Sequence, residues 1–312
     1  MQLLGPRFLA QPASRAIGAG TSRSHQAGTV LNYSHAFHAG NFADVMKHIV
    51  LTRLVEYLKR KDAAFRVIDT HAGIGRYDLG GEIAKRSPEY ADGIARLLKA
   101  ELPHKAAPLV ARYLDVIREM NPDGLTTYPG SPLLVRRLLR PQDRLSALEL
   151  HPEYAKRLGT LFEGDVQVRV IHLDGWLALN AHVPPKEKRG LVLVDPPFEE
   201  RGEFERLVDG LVKAHRKFAT GIYALWYPLK DTRAVHDFVS ALRDTGITRM
   251  LRAELSIRPA SNPPRLHGSG MILVNPPFTL EGELRILLPA LAQLLGDAGQ
   301  GRHKLEWLRG EE

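Results

Sequence analysis

The residues best suited to chemistry form the tetrapeptide Asp195-Pro196-Pro197-Phe198, which directly follows the apolar run 191–194. Two prolines cannot continue a strand, so the backbone must turn rigidly out of the sheet where the strand ends. The turn holds together a carboxylate, a carbonyl freed from the strand and an aromatic ring. This set suits the exocyclic amine of a flipped nucleobase: the Asp195 carboxylate and the Pro196 carbonyl accept the two amino hydrogens, and Phe198 stacks on the ring.

The reaction that such a site favours is attack of the amine on a methyl sulfonium. An amine conjugated to its ring is a poor nucleophile, and acceptors for its hydrogens stabilise the charge that grows as it becomes tetrahedral. Asp195 is therefore predicted to stabilise the transition state rather than to act as a strong base.

A second tetrapeptide, Asn275-Pro276-Pro277-Phe278, is chemically similar, because an amide oxygen can also accept an amino hydrogen. It follows the apolar run 271–274. We expect this strand to run antiparallel at the sheet edge, so that its end points away from the ligand loops. The sequence therefore favours Asp195 as the catalytic residue and predicts a simple turn at Asn275.

A glycine-containing loop, Asp69-Thr-His71-Ala-Gly73-Ile-Gly75, follows the first predicted strand. Glycines at such a position let the backbone approach a nucleotide-like ligand closely, although they could also serve only a tight turn. The dinucleotide fingerprint requires a third glycine, and this chain has Asp78 there, which disfavours a hydride-transfer enzyme.

Two further acidic positions follow predicted strands. Glu149 closes the second strand, where doubly wound folds place a carboxylate that binds ribose hydroxyls. Asp174-Gly175 follows the third strand at the same edge, where an adenine ring could be recognised. Either acid could instead be a solvated strand end.

The elements that must position these residues alternate along the chain. After Pro141, strand-like and helical segments alternate, which predicts a doubly wound parallel sheet, and the last two strands lack a helix between them and should pair antiparallel. Asn41 is an expected N-cap, and Ser131 with Pro132 is expected to cap a short helix. Helical signals indicate an insertion at about 78–126. Residues 1–30 fit a disordered basic arm or sequence upstream of the true start.

The composition excludes several classes of protein and favours a polyanionic binding partner. The 312 residues include 43 Lys and Arg against 35 Asp and Glu, a net charge of +8 that favours a polyanionic partner. The absence of cysteine excludes disulfides, thiol catalysis and iron–sulfur clusters, and fits a reducing compartment. No apolar run is long enough to cross a bilayer. His35, His38 and His48 lack a metal-binding motif, so no metal site is expected.

Several long motifs resemble the ribosomal RNA large-subunit methyltransferase J family, over about residue 31 to the C-terminus. The motifs are the segment 31–48, the loop 69–77, Tyr128-Pro-Gly-Ser131-Pro132, Asp195-Pro-Pro-Phe198 and the segment 220–228. The resemblance implies a Rossmann-like class I S-adenosylmethionine-dependent methyltransferase with a mixed seven-stranded sheet and a helical insertion, spanning 31–312. It further implies methylation of N6 of one adenine, conventionally adenine 2030, in 23S rRNA.

The resemblance also implies roles for individual residues. Asp195 would be the catalytic carboxylate. Tyr33, His35 and Lys47 would lie over the mouth of the active site, toward the RNA. The residues expected to contact S-adenosylmethionine are His48, His71, Gly73, Ser131, Glu149, Asp174 and Gly175. Phe198 departs from the family, which commonly has Tyr there, and this keeps the stacking ring but loses a hydroxyl.

Two other functions stay open at this point. The tetrapeptide alone does not exclude a DNA adenine-N6 or cytosine-N4 methyltransferase. A non-catalytic RNA-binding protein built on a Rossmann scaffold would bind no cofactor. We expect a cytoplasmic monomer that acts on 23S rRNA, with no membrane association and no obligate protein partner.

Overall fold

A mixed eight-stranded sheet forms the centre of the fold. The computed structural model describes residues 37–81 and 88–310. The strands are β1 (Arg66–Asp69), β2 (Arg76–Asp78), β3 (Thr127–Pro129), β4 (Arg144–Glu149), β5 (Val168–His172), β6 (Gly190–Val194), β7 (Ile222–Leu229), β8 (Met250–Ser256), β9 (Gly268–Val274) and β10 (Arg302–Arg309). The α-helices within the described residues are α1 (Phe42–Leu58), α2 (Ile94–Lys99), α3 (Ala107–Glu119), α4 (Ser131–Leu138), α5 (Pro152–Leu161), α6 (Gly175–Ala181), α7 (Glu203–Lys217), α8 (Thr232–Asp244) and α9 (Leu280–Leu295).

The order of strands places a ligand site between β1 and β6. The sheet runs β10-β8-β9-β7-β6-β1-β4-β5, and the five strands from β7 to β5 are parallel. The chain first builds outward from β1 through β4 to β5, then continues on the other side of β1 with β6. Ligands of doubly wound sheets bind at the carboxyl ends of the strands where the order reverses in this way.

The predicted class of fold is confirmed, with two differences at the antiparallel end of the sheet. Within the described residues the sheet has eight strands rather than seven, because β10 pairs antiparallel with β8. Its sequence is mostly charged and only Leu308 in it is buried, so its pattern does not resemble that of a core strand. In addition, β9 runs antiparallel as expected but lies inside the sheet, between β7 and β8, instead of at the edge.

Alternate residues of the central strands build two apolar layers, one on each face of the sheet. In β6, Leu191 and Leu193 face the layer that contains α1, α4 and α9. Val192 and Val194 face the layer that contains α6, α7 and α8. Because successive side chains of a strand point to opposite faces, a continuous apolar run is what a strand covered on both faces requires.

Helix α1 carries site residues into the centre of the molecule. Asn41 caps it as expected, since its side chain accepts hydrogen bonds from the backbone of Ala43 at 2.9 Å and of Asp44 at 3.1 Å. The helix is 17 residues long and is buried along most of its length, against α3, α4, α9, β6 and β9. Its packing on β6 places its first turns beside the carboxyl end of that strand.

The segment predicted as a helical insertion lies between the strands of a small separate sheet. Strands β2 and β3 pair antiparallel, with Tyr77 opposite Tyr128, and helices α2 and α3 lie between them in the chain. At the end of this segment, Ser131 differs from its expected role. Gly130 is the N-cap of α4, and Ser131 is the first helical residue, which frees its hydroxyl for another partner.

No helix within the described residues is both long enough and apolar enough to cross a membrane.

Candidate active site

Asp195 lies at the carboxyl end of β6, immediately beside the end of β1. The register pairs Asp69 of β1 with Leu193 of β6, two residues before Asp195. The Thr70 backbone and hydroxyl both donate to the Leu193 carbonyl, at 3.1 and 3.0 Å, which ties the two strand ends together. The turn that follows leaves Phe198 with a positive φ of 55°, so the double proline redirects the chain abruptly.

A buried lysine sits between two carboxylates at this strand end. The Lys47 ammonium donates to Asp195 Oδ2 at 2.5 Å and lies 2.9 Å from Asp44 Oδ1. The Lys47 side chain is only 5% exposed. Burial by itself lowers the pKa of Lys47, but Asp195 and Asp44 outweigh this effect and the pKa is raised above its usual value. The ammonium therefore remains charged at any physiological pH and offsets part of the negative charge of the two carboxylates.

The position of Lys47 differs from the one that the resemblance implies. The expected place is over the mouth of the site, whereas the side chain lies beneath Asp195, in the packed interface of α1 and β6. Asp44 was not among the predicted site residues, although it is Asp44 that completes the cluster. Its Oδ2 accepts a hydrogen bond from the Gly40 backbone at 2.9 Å. The spacing of Asp44 and Lys47, one helical turn apart, is the sequence feature that could have revealed it.

Aromatic rings form a wall next to Asp195. The Phe198 ring lies 5.7 Å from Trp226 and 4.8 Å from Phe204, measured between centroids. Trp226 also lies 5.7 Å from Lys47 Nζ, and its indole nitrogen donates to Ser269 at 2.9 Å. The sequence favours a core role for Trp226. Trp226 does pack against the core, but it is only partly buried, and its contacts with Phe198 and Lys47 bring it close to Asp195.

Asp69 is fully buried, and one of its carboxylate oxygens has no partner within residues 37–81 and 88–310. The Ser131 hydroxyl donates to Oδ2 at 2.6 Å, whereas Oδ1 has no hydrogen-bond partner in this part of the chain. Burial raises the pKa of Asp69 to about 7, against the lowering effect of the Ser131 hydrogen bond. A buried carboxylate with a free oxygen at a strand end is a ready acceptor for a cationic or hydrogen-bond donating ligand.

Glu149 braces the glycine loop. Its Oε2 accepts from the Gly73 backbone and its Oε1 from the His151 backbone, each at 2.8 Å. Gly73 and Gly75 have φ of 62° and 76°, a conformation that other residues rarely adopt. Each Glu149 oxygen keeps a second lone pair, so the carboxylate can still accept hydrogen bonds from a ligand.

The residues from the end of β5 to the start of α6 pack tightly against the residues that follow β1. Asp174 caps α6 by accepting from the Trp176 backbone at 2.8 Å. A Cβ on Gly175 would lie 2.2 Å from the Thr70 carbonyl, so only glycine fits there. The His71 ring lies 5.2 Å from Trp176, and burial lowers the pKa of His71 to about 3. His71 is therefore a neutral imidazole at physiological pH.

His48 belongs to a buried chain of aromatic groups behind the site. Its Nδ1 lies 2.8 Å from the Tyr128 hydroxyl, which in turn lies 2.9 Å from the Tyr113 hydroxyl. His38 pairs instead with Glu89, at 2.9 Å. Within residues 37–81 and 88–310, no cluster of three or more metal-binding side chains occurs. Tyr33 and His35 lie outside the described residues, as does the predicted extension 1–30.

The residues at this edge fit S-adenosylmethionine. Asp69 offers a buried oxygen that has no hydrogen-bond partner among the described residues, the loop through Gly73 and Gly75 offers left-handed turns of the backbone, and Glu149 offers acceptors one strand further. The parallel sheet with β9 inserted antiparallel, and the acids at the ends of β1, β4 and β6, define a class I S-adenosylmethionine-dependent methyltransferase.

Comparison with known proteins identifies the family within this class. The family model described as "Ribosomal RNA large subunit methyltransferase D, RlmJ" matches residues 62–309. The chain belongs to this RlmJ family.

Individual relatives resemble the chain over almost their whole length. The chain is 44% identical to ribosomal RNA large subunit methyltransferase J of Escherichia coli (strain K12), over 89% of this chain and 99% of the relative. It is 41% identical to the protein of the same name from Haemophilus influenzae, over 90% of this chain and 100% of the relative. The crystal structure of protein LPL1258 from Legionella pneumophila superposes with a TM-score of 0.79 at 37% identity, covering 86% of this chain and 98% of that one.

Proposed function

We propose that this chain transfers a methyl group from S-adenosylmethionine to N6 of an adenine in 23S rRNA. The observation that carries the proposal is the position of Asp195 at the switch point of the sheet, adjacent to the Asp69 and Gly73 strand end and walled by Phe198 and Trp226. Family membership supports ribosomal RNA as the substrate, because the relatives are named for it.

The cofactor supplies an electrophilic methyl group on a sulfonium. Asp69 would accept a hydrogen bond from a cationic amine through its free Oδ1. Glu149 would accept from the ribose hydroxyls through its remaining lone pairs. His71, Asp174 and Gly175 form the boundary of the adenine end, where the neutral imidazole adds no charge beside the ring.

Asp195 and the Pro196 carbonyl would hold the two hydrogens of N6. As the N6 lone pair forms its bond to the methyl carbon and the carbon–sulfur bond breaks, positive charge grows on nitrogen, and these acceptors stabilise it. Asp195 is also the group placed to receive the proton that N6 then releases. Phe198 and Trp226 would stack against the extruded base.

Lys47 would position Asp195 and set its charge. Its ammonium occupies Oδ2 and leaves Oδ1 for the substrate amine. Because Lys47 is buried, its contribution would be made through Asp195, while contact with the RNA would fall to other residues, for which the family resemblance suggests Tyr33 and His35. We further propose that the protein acts in the cytoplasm as a monomer.

Transfer of tritiated methyl groups tests the proposal. Unmodified 23S rRNA and duplex DNA are offered separately with labelled S-adenosylmethionine, and the labelled nucleoside is identified by mass spectrometry. We expect N6-methyladenine in the rRNA only. Incorporation confined to DNA would contradict the proposal, and failure to bind S-adenosylhomocysteine in calorimetry would favour a non-catalytic RNA-binding protein.

A further inference from the structure

A cavity lies at the edge of the sheet opposite Asp195. It has a volume of about 290 Å³ and includes Gly190 and Ile222, which begin β6 and β7. Asp195 follows the other end of β6, and five residue steps of strand correspond to about 16 Å. The second tetrapeptide, Asn275-Pro276-Pro277-Phe278, forms one wall of this cavity.

The cavity is lined by positive charge. Lys61, Arg189 and Arg249 lie in its wall, and no acidic side chain among the described residues lines it. Arg189 is held by neutral acceptors, since it donates to the Ala63 carbonyl at 2.7 Å and also to the Leu58 carbonyl. Hydrogen bonds to carbonyls fix the guanidinium without cancelling its charge, so the cavity attracts an anion.

An exposed aromatic ring stands at the rim of the same cavity. Phe278 is 79% exposed and meets Tyr57 edge to face, with centroids 6.0 Å apart and the planes at 79°. The guanidinium carbon of Arg60 lies 5.6 Å from the centroid of the Tyr57 ring. Proteins bind unpaired nucleobases by stacking them on solvent-exposed aromatic rings that lie beside positively charged side chains, and Phe278 has this environment.

The turn that carries Phe278 is held rigidly. Asn275 has a positive φ of 51°, which is uncommon for a residue with a side chain, and its amide donates to the carbonyls of Ala219 and Gly221 at 2.7 and 2.8 Å. These bonds fix the loop before any ligand binds. A ring presented in a fixed position loses little conformational entropy on stacking.

We propose that this cavity is a second RNA contact, which takes one phosphate and one unpaired base of the substrate RNA at the edge opposite Asp195. The inference rests on the proposed function for the identity of the RNA. Helix α1 connects the two places, because Lys47 lies at Asp195 and Tyr57 lines the cavity, ten residues or about 15 Å further along. The RNA would thus bind at both edges of the sheet. The contact at the cavity would contribute to RNA affinity rather than to the methyl-transfer step.

Binding measured without methyl transfer tests this contact. The dissociation constant of an unmodified 23S rRNA fragment, with the target hairpin and its flanking sequence, is measured by filter binding in the presence of S-adenosylhomocysteine. The variants are Phe278→Ala and Lys61→Ala. The matched controls are Val166→Ala, which trims an 88% exposed apolar side chain just before β5, five strands from β9 at the same edge, and Lys213→Ala on the surface of α7.

We expect Phe278→Ala to weaken RNA binding about tenfold, the usual effect of removing one stacked base contact. Lys61→Ala should reduce the slope of the logarithm of affinity against the logarithm of salt concentration by about 0.7, the loss of one phosphate contact. Affinity for S-adenosylhomocysteine, and RNA binding by both controls, should match the wild-type protein.

Wild-type RNA affinity in Phe278→Ala, or an equal loss in Val166→Ala, would overturn the second contact. A wild-type protein that binds this RNA through Phe278 but methylates only DNA would refute the proposed function while supporting the contact. A wild-type protein that does not bind RNA would overturn both.

Discussion

Replacement of Lys47 by methionine tests whether the buried cluster beside Asp195 is held by charge. Methionine keeps the length of the side chain and removes the ammonium, so Asp44 and Asp195 would face each other without a counter-ion. The two carboxylate side chains are only 3% and 12% exposed. Removing one partner of a buried ion pair costs about 3–5 kcal/mol, because an uncompensated charge stays behind. We therefore expect the variant to lose about this amount in the free energy of unfolding at pH 7.5.

The assay is urea unfolding followed by circular dichroism, repeated at several pH values. Without Lys47, the two buried negative charges repel each other, and protonation of one carboxyl relieves the repulsion. The loss of stability should therefore shrink as the pH falls and one carboxyl takes up a proton. Lys59→Met is the matched control, since Lys59, the C-cap residue of the same helix, pairs with Glu56 at 2.6 Å but is partly exposed. It should cost less than about 1 kcal/mol. Equal stability of the two variants, or a Lys47→Met loss that does not change with pH, would refute the reasoning.

Three further predictions concern the same edge of the sheet. Burial holds the pKa of Asp69 at about 7, above its value of 3.8 outside the fold, so the ligand-free protein should lose stability as the pH rises from about 4 to 7. Glu203, whose pKa burial also raises to about 7, should contribute to the same loss, so Asp69→Asn should reduce the slope in urea unfolding without abolishing it. An unchanged slope would contradict the assignment. Gly175→Ala would press a methyl group onto the Thr70 carbonyl. We expect it to weaken S-adenosylhomocysteine binding in calorimetry or to destabilise the fold by about 1–3 kcal/mol. A variant with both the affinity and the stability of the wild-type protein would contradict this prediction. Trp226→Leu should lower kcat/KM for RNA about tenfold through lost stacking, without changing cofactor affinity; an unchanged kcat/KM would remove Trp226 from the base-binding wall.

The parallel half of the sheet could be predicted because short apolar segments alternate with helical ones and several end at chemically distinctive residues, most clearly β6, whose five residues are all buried. For example, the apolar run Leu191 to Val194 predicts a buried strand, and Asp195-Pro196 directly after it predicts the turn that ends the strand. The strand β10 could not be predicted in this way. An edge strand buries few side chains, and the charged residues of β10 obscure the alternation of apolar and polar residues that indicates a strand.

The components of the site that come from other elements were harder to predict. Asp44 and Trp226 both lie against Lys47, the partner of Asp195, through packing between α1, β6 and β7, and no spacing within one segment specifies the contact between Lys47 and Trp226. Likewise, a sequence cannot say that Ser131 turns its hydroxyl to Asp69 instead of capping its helix, since both arrangements satisfy local rules.

Single-turnover methyl transfer by Asp195→Ala tests the central claim most directly. The variant is mixed with labelled S-adenosylmethionine and unmodified 23S rRNA, and its affinity for S-adenosylhomocysteine is measured in parallel by calorimetry. Asp209→Ala, which removes an exposed carboxylate on α7, is the control and should transfer methyl groups at the wild-type rate. We predict that Asp195→Ala loses at least about a hundredfold in rate while its cofactor affinity is unchanged. Methyl transfer at the wild-type rate by Asp195→Ala would contradict the assignment of this carboxylate to the reacting amine.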